Sequence, residues 1–157
     1  MEHYIFKQLR FVRENTLSQV VGMKDEESLF IPKGFNNNIK WNLGHIYVIQ
    51  EKFGFQIIGE ETKLPNYFME LFSTGTKPID WGDQALPTIQ ELIQLLKNQI
   101  DRIEQNLEGR LDDVIVPYTT STGLTLSTLK ELISFCLYHE GMHFDAIKSI
   151  KRMIQNN

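Results

Sequence analysis

The chain has 157 residues, 41% of them hydrophobic and 23% charged, with a formal net charge of -4. That length suits one domain, residues 1–157, with enough core to dispense with disulfides. The acidic balance argues against nucleic acid or an anionic membrane as partner, because both call for a basic patch.

The first helix is expected over residues 4–21. Ile5, Leu9, Val12, Thr16 and Val20 recur at helical spacing, and Gly22 is the stop. The polar, turn-rich stretch "KDEESLFIPKGFNNN" follows. One of its asparagines is expected to cap a second helix over residues 39–58, closed by Gly59. Its inward candidates are Trp41, Leu43, Ile46, Ile49 and Phe53, and Gly54 is a weak point. Residues 60–87 form a long connection with a short helix near 68–72. Connections of that length are uncommon unless functional or packed as a lid.

The third helix, residues 88–108, carries the most sustained apolar stripe: Ile89, Leu92, Ile93, Leu96, Ile100, Ile103 and Leu107. "VIVPYTTSTGLTL" is β-branched and threonine-rich around Gly123, which suggests a short extended pair over one end of a bundle. Ser127 is the expected N-cap of a last helix reaching about Ile154. Four helices with a long crossover connection predict an all-α, four-helix bundle. The single cysteine, Cys136, excludes an intramolecular disulfide and suits a reducing compartment. No stretch approaches a membrane span and the start lacks an apolar signal core, so the protein is read as cytoplasmic. Lys148, Lys151 and Arg152 read as complements to a helix C-terminus.

The last helix has a stripe of Leu129, Leu132, Ile133, Cys136, His139, His143, Ile147, Ile150 and Ile154. His139 and His143 thus stand where hydrophobic residues belong, four apart on one face. Two buried imidazoles without partners are costly, and a shared metal ion removes that cost. A lone histidine on an apolar face is ordinarily a hydrogen-bonded core residue; the pair is what points to metal. "HEGMH" also spells the H-E-x-x-H of zinc metalloproteases. Such proteases take a third ligand downstream, yet the 14 residues after His143 hold no histidine or glutamate, and the chain lacks the size for a substrate cleft. The third ligand is therefore sought upstream. His3 sits at a terminus, whereas His45 lies mid-helix on the face of Trp41 and Val48. His45, His139 and His143 form the expected metal site.

These residues resemble the DinB-like (YfiT-type) proteins over nearly the whole chain. The likeness rests on "WNLGH", "FSTGTKPIDW", the third helix and "STGLTLSTLKELISFCLYHEGMHFDAI". The family's histidines fall on the second and last helices and match His45, His139 and His143. The resemblance implies a four-helix bundle of family-specific topology, a divalent metal at one end, and a homodimer. It also implies metal-dependent thiol chemistry, with a low-molecular-weight thiol such as bacillithiol or mycothiol in S-transfer or isomerisation.

Three neutral imidazoles leave zinc or nickel, the favoured ions, an open position for water or a thiol. A small-molecule electrophile such as an epoxide or alkyl halide is the expected substrate; the alternatives are a non-catalytic metal-binding stress-response bundle and a metal-dependent hydrolase of a small amide or ester. Glu140 lies about 100° from His139 and about 60° from His143 on a helical wheel. It is a candidate general base, with solvent or a dimer partner as the plainer destination. Asn42 is a candidate to fix a ring tautomer. Trp41, Trp81 and Tyr118 are pocket-wall candidates or plain core, and Cys136 is a soft ligand or a buried small hydrophobe.

Overall fold

The computed structural model describes residues 3–156. Four long helices carry the fold: α1 (Tyr4–Ser18), α3 (Ile39–Gly54), α5 (Ile89–Leu107) and α6 (Leu129–Gln155). Two short helices, α2 (Asp25–Ser28) and α4 (Phe68–Phe72), lie in the connections. An antiparallel hairpin of β1 (Val114–Thr119) and β2 (Thr125–Thr128) precedes α6. The four-helix bundle and the long crossover match the sequence expectation. α1 and α3 each pack against both α5 and α6, so α1 and α3 lie across a diagonal.

The helix starts follow local chemistry. Asn38 caps α3 by accepting from the Trp41 amide at 2.8 Å. Thr88 and Thr128 open α5 and α6 with capping boxes, answered by Glu91 and Glu131 three residues on. The α6 cap is thus Thr128 rather than Ser127, whose amide donates to Glu131 instead. The helix expected over 39–58 ends at Gly54, passes through a 3-10 turn over Gln56–Ile58, and stops at Gly59 in the left-handed region (φ 77°). The short segment Asp25–Ser28, not anticipated, is stabilised by Glu27, whose carboxylate accepts from the Lys24 amide.

Two apolar clusters fill the bundle. One joins Leu17, Val20, Leu43, Ile46, Phe72, Leu92, Ile147 and Ile150; the other joins Phe6, Leu9, Phe53, Ile103, Leu129, Leu132 and Cys136. Between their positions along the four helices stand buried polar residues: Arg13 on α1, Gln50 and Glu51 on α3, Gln99 on α5, and His139 and Glu140 on α6, while the buried His45 lies within the first cluster's span of α3. Arg13 is 2% exposed and Val12 only half-buried, so α1 is rotated relative to the expected inward set. Among the described residues no helix is long and apolar enough to cross a membrane.

Candidate metal centre

The α3–α6 contact brings His45, His139 and His143 together, with one ligand-capable atom of each lying within 4.8 Å of the others. His45 and His139 are 5% and 7% exposed, and His143 is half-buried. The Nε2 atoms of His45 and His139 are 3.2 Å apart. That matches the edge of a tetrahedron of nitrogens about 2.0–2.1 Å from a zinc ion, roughly 3.3 Å.

The tautomers follow from the acceptors around the rings. His45 Nδ1 lies 2.7 Å from the Phe72 carbonyl oxygen, which can only accept, so Nδ1 carries the proton. His143 Nδ1 lies 2.7 Å from Asn42 Oδ1. The Asn42 amide is oriented by its own donation to the Asn38 carbonyl at 2.7 Å, which turns its oxygen to His143. Both rings therefore direct an Nε2 lone pair into the same space. Among the described residues His139 Nδ1 is buried with no hydrogen-bond partner, and its Nε2 faces the His45 lone pair.

Burial holds the rings neutral. Desolvation lowers the His45 pKa below its ordinary value against the opposing pull of the Phe72 carbonyl. It pushes His143 down to about 3, with a further push from His45. His139 goes down to about 2, by desolvation first and then by its two imidazole neighbours. Converging neutral nitrogen lone pairs, without enough donors among them, are the donor set that suits a borderline divalent cation. The residues present fit such an ion.

The long crossover supplies the support. Gly44 precedes His45, and a Cβ there would overlap the Phe72 ring. Glycine at this position thus lets α4 approach until its carbonyl reaches His45. Trp41 stacks on His45 with ring centroids 4.5 Å apart and planes 12° from parallel. Its indole N–H donates to Thr76 Oγ1 at 2.9 Å, pinning the loop after α4. Trp41 is thus a wall of the site. Trp81 instead donates to the Leu71 carbonyl and packs on Phe72. Tyr118 accepts from Lys52 at the hairpin. Cys136 is fully buried in the second apolar cluster, where desolvation raises its thiol pKa, and it is outside the ligand set. His3 caps α1, accepting from the Ile5 amide.

Glu140 takes neither destination expected for it, solvent or a dimer partner. It is 0% exposed. One carboxylate oxygen accepts from Arg13 Nε at 2.8 Å; the other accepts from Arg13 Nη2 at 3.1 Å and Gln50 Nε2 at 2.7 Å. An ionised carboxylate offers about four acceptor sites, and Arg13 and Gln50 together occupy three of those on Glu140. Arg13 also donates to Gln50 Oε1 and to the Leu96 carbonyl. Sequence reasoning did not single out Arg13 or Gln50. The available signal was Arg13 itself, four residues after Leu9 and four before Leu17 on a stripe otherwise apolar. The Phe72 carbonyl left no signal, since a backbone acceptor has no residue type.

A surface groove of about 610 Å³ lies between the crossover and α5, lined by residues such as Tyr67, Leu71, Leu86 and Leu95, and none of the three histidines lines it. No curated protein matches the chain in sequence. A solved structure described as the conserved protein of locus from Enterococcus faecalis superposes with a TM-score of 0.72 at 13% identity, covering 98% of this chain and 96% of that one. At that identity the likeness speaks for the fold alone. The family comparison speaks for more, because it spans both histidine-bearing helices: residues 8–147 match the DinB superfamily, and the chain belongs to it.

Proposed function

We propose that the protein is a divalent-metal enzyme in which His45, His139 and His143 hold zinc or nickel and a low-molecular-weight thiol such as bacillithiol is transferred to a small electrophile. The observation that supports this reading is the pair of oriented rings. The Phe72 carbonyl and Asn42 Oδ1 each keep the proton on Nδ1, which leaves two Nε2 lone pairs facing His139. A cation held there supplies Lewis acidity and a position at which a thiol loses its proton near neutral pH.

The chain's own residues have three tasks in this reading. The histidines stay neutral through burial, so they bind without first shedding protons. Trp41 covers His45 and limits the approach of water from that side. The bundle holds the third ring, on α6, against the α3 ligand. In the transfer the thiol sulfur forms a bond to the electrophilic carbon, the leaving group departs with the bonding pair, and the thiol proton passes to solvent. The protein is proposed to act in the cytoplasm as a homodimer.

The low exposure of His45 and His139 favours one other reading, a metal-binding stress-response bundle without turnover. Protein loaded with zinc or nickel, mixed with bacillithiol and an alkyl halide or epoxide, separates the two. Adduct formation above the uncatalysed rate, lost in His45→Ala, supports transfer. Stoichiometric metal with no adduct from either electrophile supports the binder.

A further inference from the structure

A charged pair in the middle of the bundle calls for an explanation that stability does not provide. Arg13 and Glu140 are 2% and 0% exposed, and their charges meet at 2.8 Å. Well-packed hydrophobic residues in place of a buried ion pair are often as stable or more so. Apolar clusters lie to both sides of the pair, and such surfaces are forgiving of small rotations and slides between helices. A directional pair is not, because it is satisfied in one geometry only.

The connections run to the elements that carry the histidines. Glu140 follows His139 on α6. Gln50 is five residues after His45 on α3, and its Nε2 donates to Glu140 at 2.7 Å. Arg13 on α1 donates to both, through Nε and Nη2 to Glu140 and through Nη2 to Gln50 Oε1 at 2.9 Å. The same Nη2 lies 3.3 Å from Gln99 Oε1 on α5, so all four helices meet at this point. On α6 the Glu140 side chain stands about 100° around the axis from His139. Anchoring it sets the rotation of α6, and with it the direction of both α6 rings.

We propose that Arg13, Gln50 and Glu140 form a positioning clamp that sets the rotation and register of α6 against α3, and thereby aims His139 and His143 at His45. None of the three touches the histidine nitrogens; they act through the helices. Its consequence for metal rests on the three-histidine reading above, but its consequence for the rings does not.

The test is the variant Arg13→Met/Gln50→Leu/Glu140→Leu, which replaces the clamp with apolar side chains. Long-range ¹H–¹⁵N spectra of metal-free protein report the tautomer of each ring. His45 is an internal control, since its Nδ1 proton is held by the Phe72 carbonyl without help from α6. His143 is the reporter, since its partner Asn42 lies across the α3–α6 interface. The expected result is a folded variant in which His45 keeps its Nδ1–H tautomer while His143 becomes averaged. Zinc affinity, measured by competition with a chromophoric chelator, should fall about 10-fold or more. A folded variant with the wild-type His143 tautomer would overturn the clamp. Should the triple variant not fold, Glu140→Gln is read the same way: it keeps the shape but turns an amide N–H toward the donors of Gln50 and Arg13. If wild-type protein takes up no zinc, the three-histidine reading fails, while the ring spectra still decide the clamp.

Discussion

Two polar clusters interrupt the same apolar core, and they are resolved in opposite ways. Around Glu140 each carboxylate oxygen has a donor and the carboxylate charge is met by Arg13. Around His139 the nitrogens face one another, one of them without a partner. The first cluster is complete within the protein. The second leaves converging nitrogen lone pairs, the donor set that the proposed cation would meet. Neighbouring residues in the sequence, 139 and 140, thus belong to different kinds of site, because one helical step of about 100° separates a ring aimed at α3 from a carboxylate aimed at α1.

The largest expected effect breaks the completed cluster. Glu140→Ala leaves the Arg13 guanidinium buried without its carboxylate, which should destabilise the fold by about 3–5 kcal/mol in urea denaturation. A loss no greater than that of a surface substitution would mean that the pair is not buried in solution. The next effect completes the other cluster. Zinc at about 100 times its dissociation constant should stabilise the wild type by roughly 2.7 kcal/mol. His45→Ala should abolish that gain, read as a zinc-dependent shift in melting temperature; an equal shift in the variant would remove His45 from the ligand set.

A smaller effect sharpens the comparison at the support level. Asn42→Ala takes away the acceptor that orients His143, and zinc affinity should drop about 10- to 100-fold by isothermal titration. Unchanged affinity would show that His143 needs no orienting partner.

A separate effect is on pH dependence. In metal-free protein the folded-state pKa values of all three histidines are lowered by burial. An unfolded histidine titrates near pH 6.5, so below that value the unfolded state binds more protons than the folded one. Stability should then fall as pH drops from about 6.5 toward about 3, the folded-state position of His143. A His143→Leu protein should lose part of this slope, and an unchanged slope would place the acid sensitivity elsewhere.

Much of this was legible in the sequence because it depends on neighbours along the chain. Apolar spacing marked the four long helices, Gly123 marked the turn of the hairpin before α6, and the short helix expected near 68–72 is α4. The H-x-x-x-H spacing put two rings on one face of one helix. Missing ligands downstream of His143 pointed to His45. Each of these follows from helical geometry and residue type alone. The end of α3 was harder to place, since Gln56–Ile58 continues the apolar pattern while tightening to a 3-10 turn.

What the tertiary structure decided is everything that depends on a partner far along the chain. The sequence by itself determined that His139, Glu140 and His143 share a helix. Only the packing of α1 decided that Glu140 meets Arg13, 127 residues away. Only the approach of α4, permitted by Gly44, decided that a backbone carbonyl holds the His45 proton. A residue's type sets which charges and lone pairs it can offer; what answers them is chosen by the fold, because hydrogen bonds and ion pairs are made across ångströms of space and not across positions in a chain.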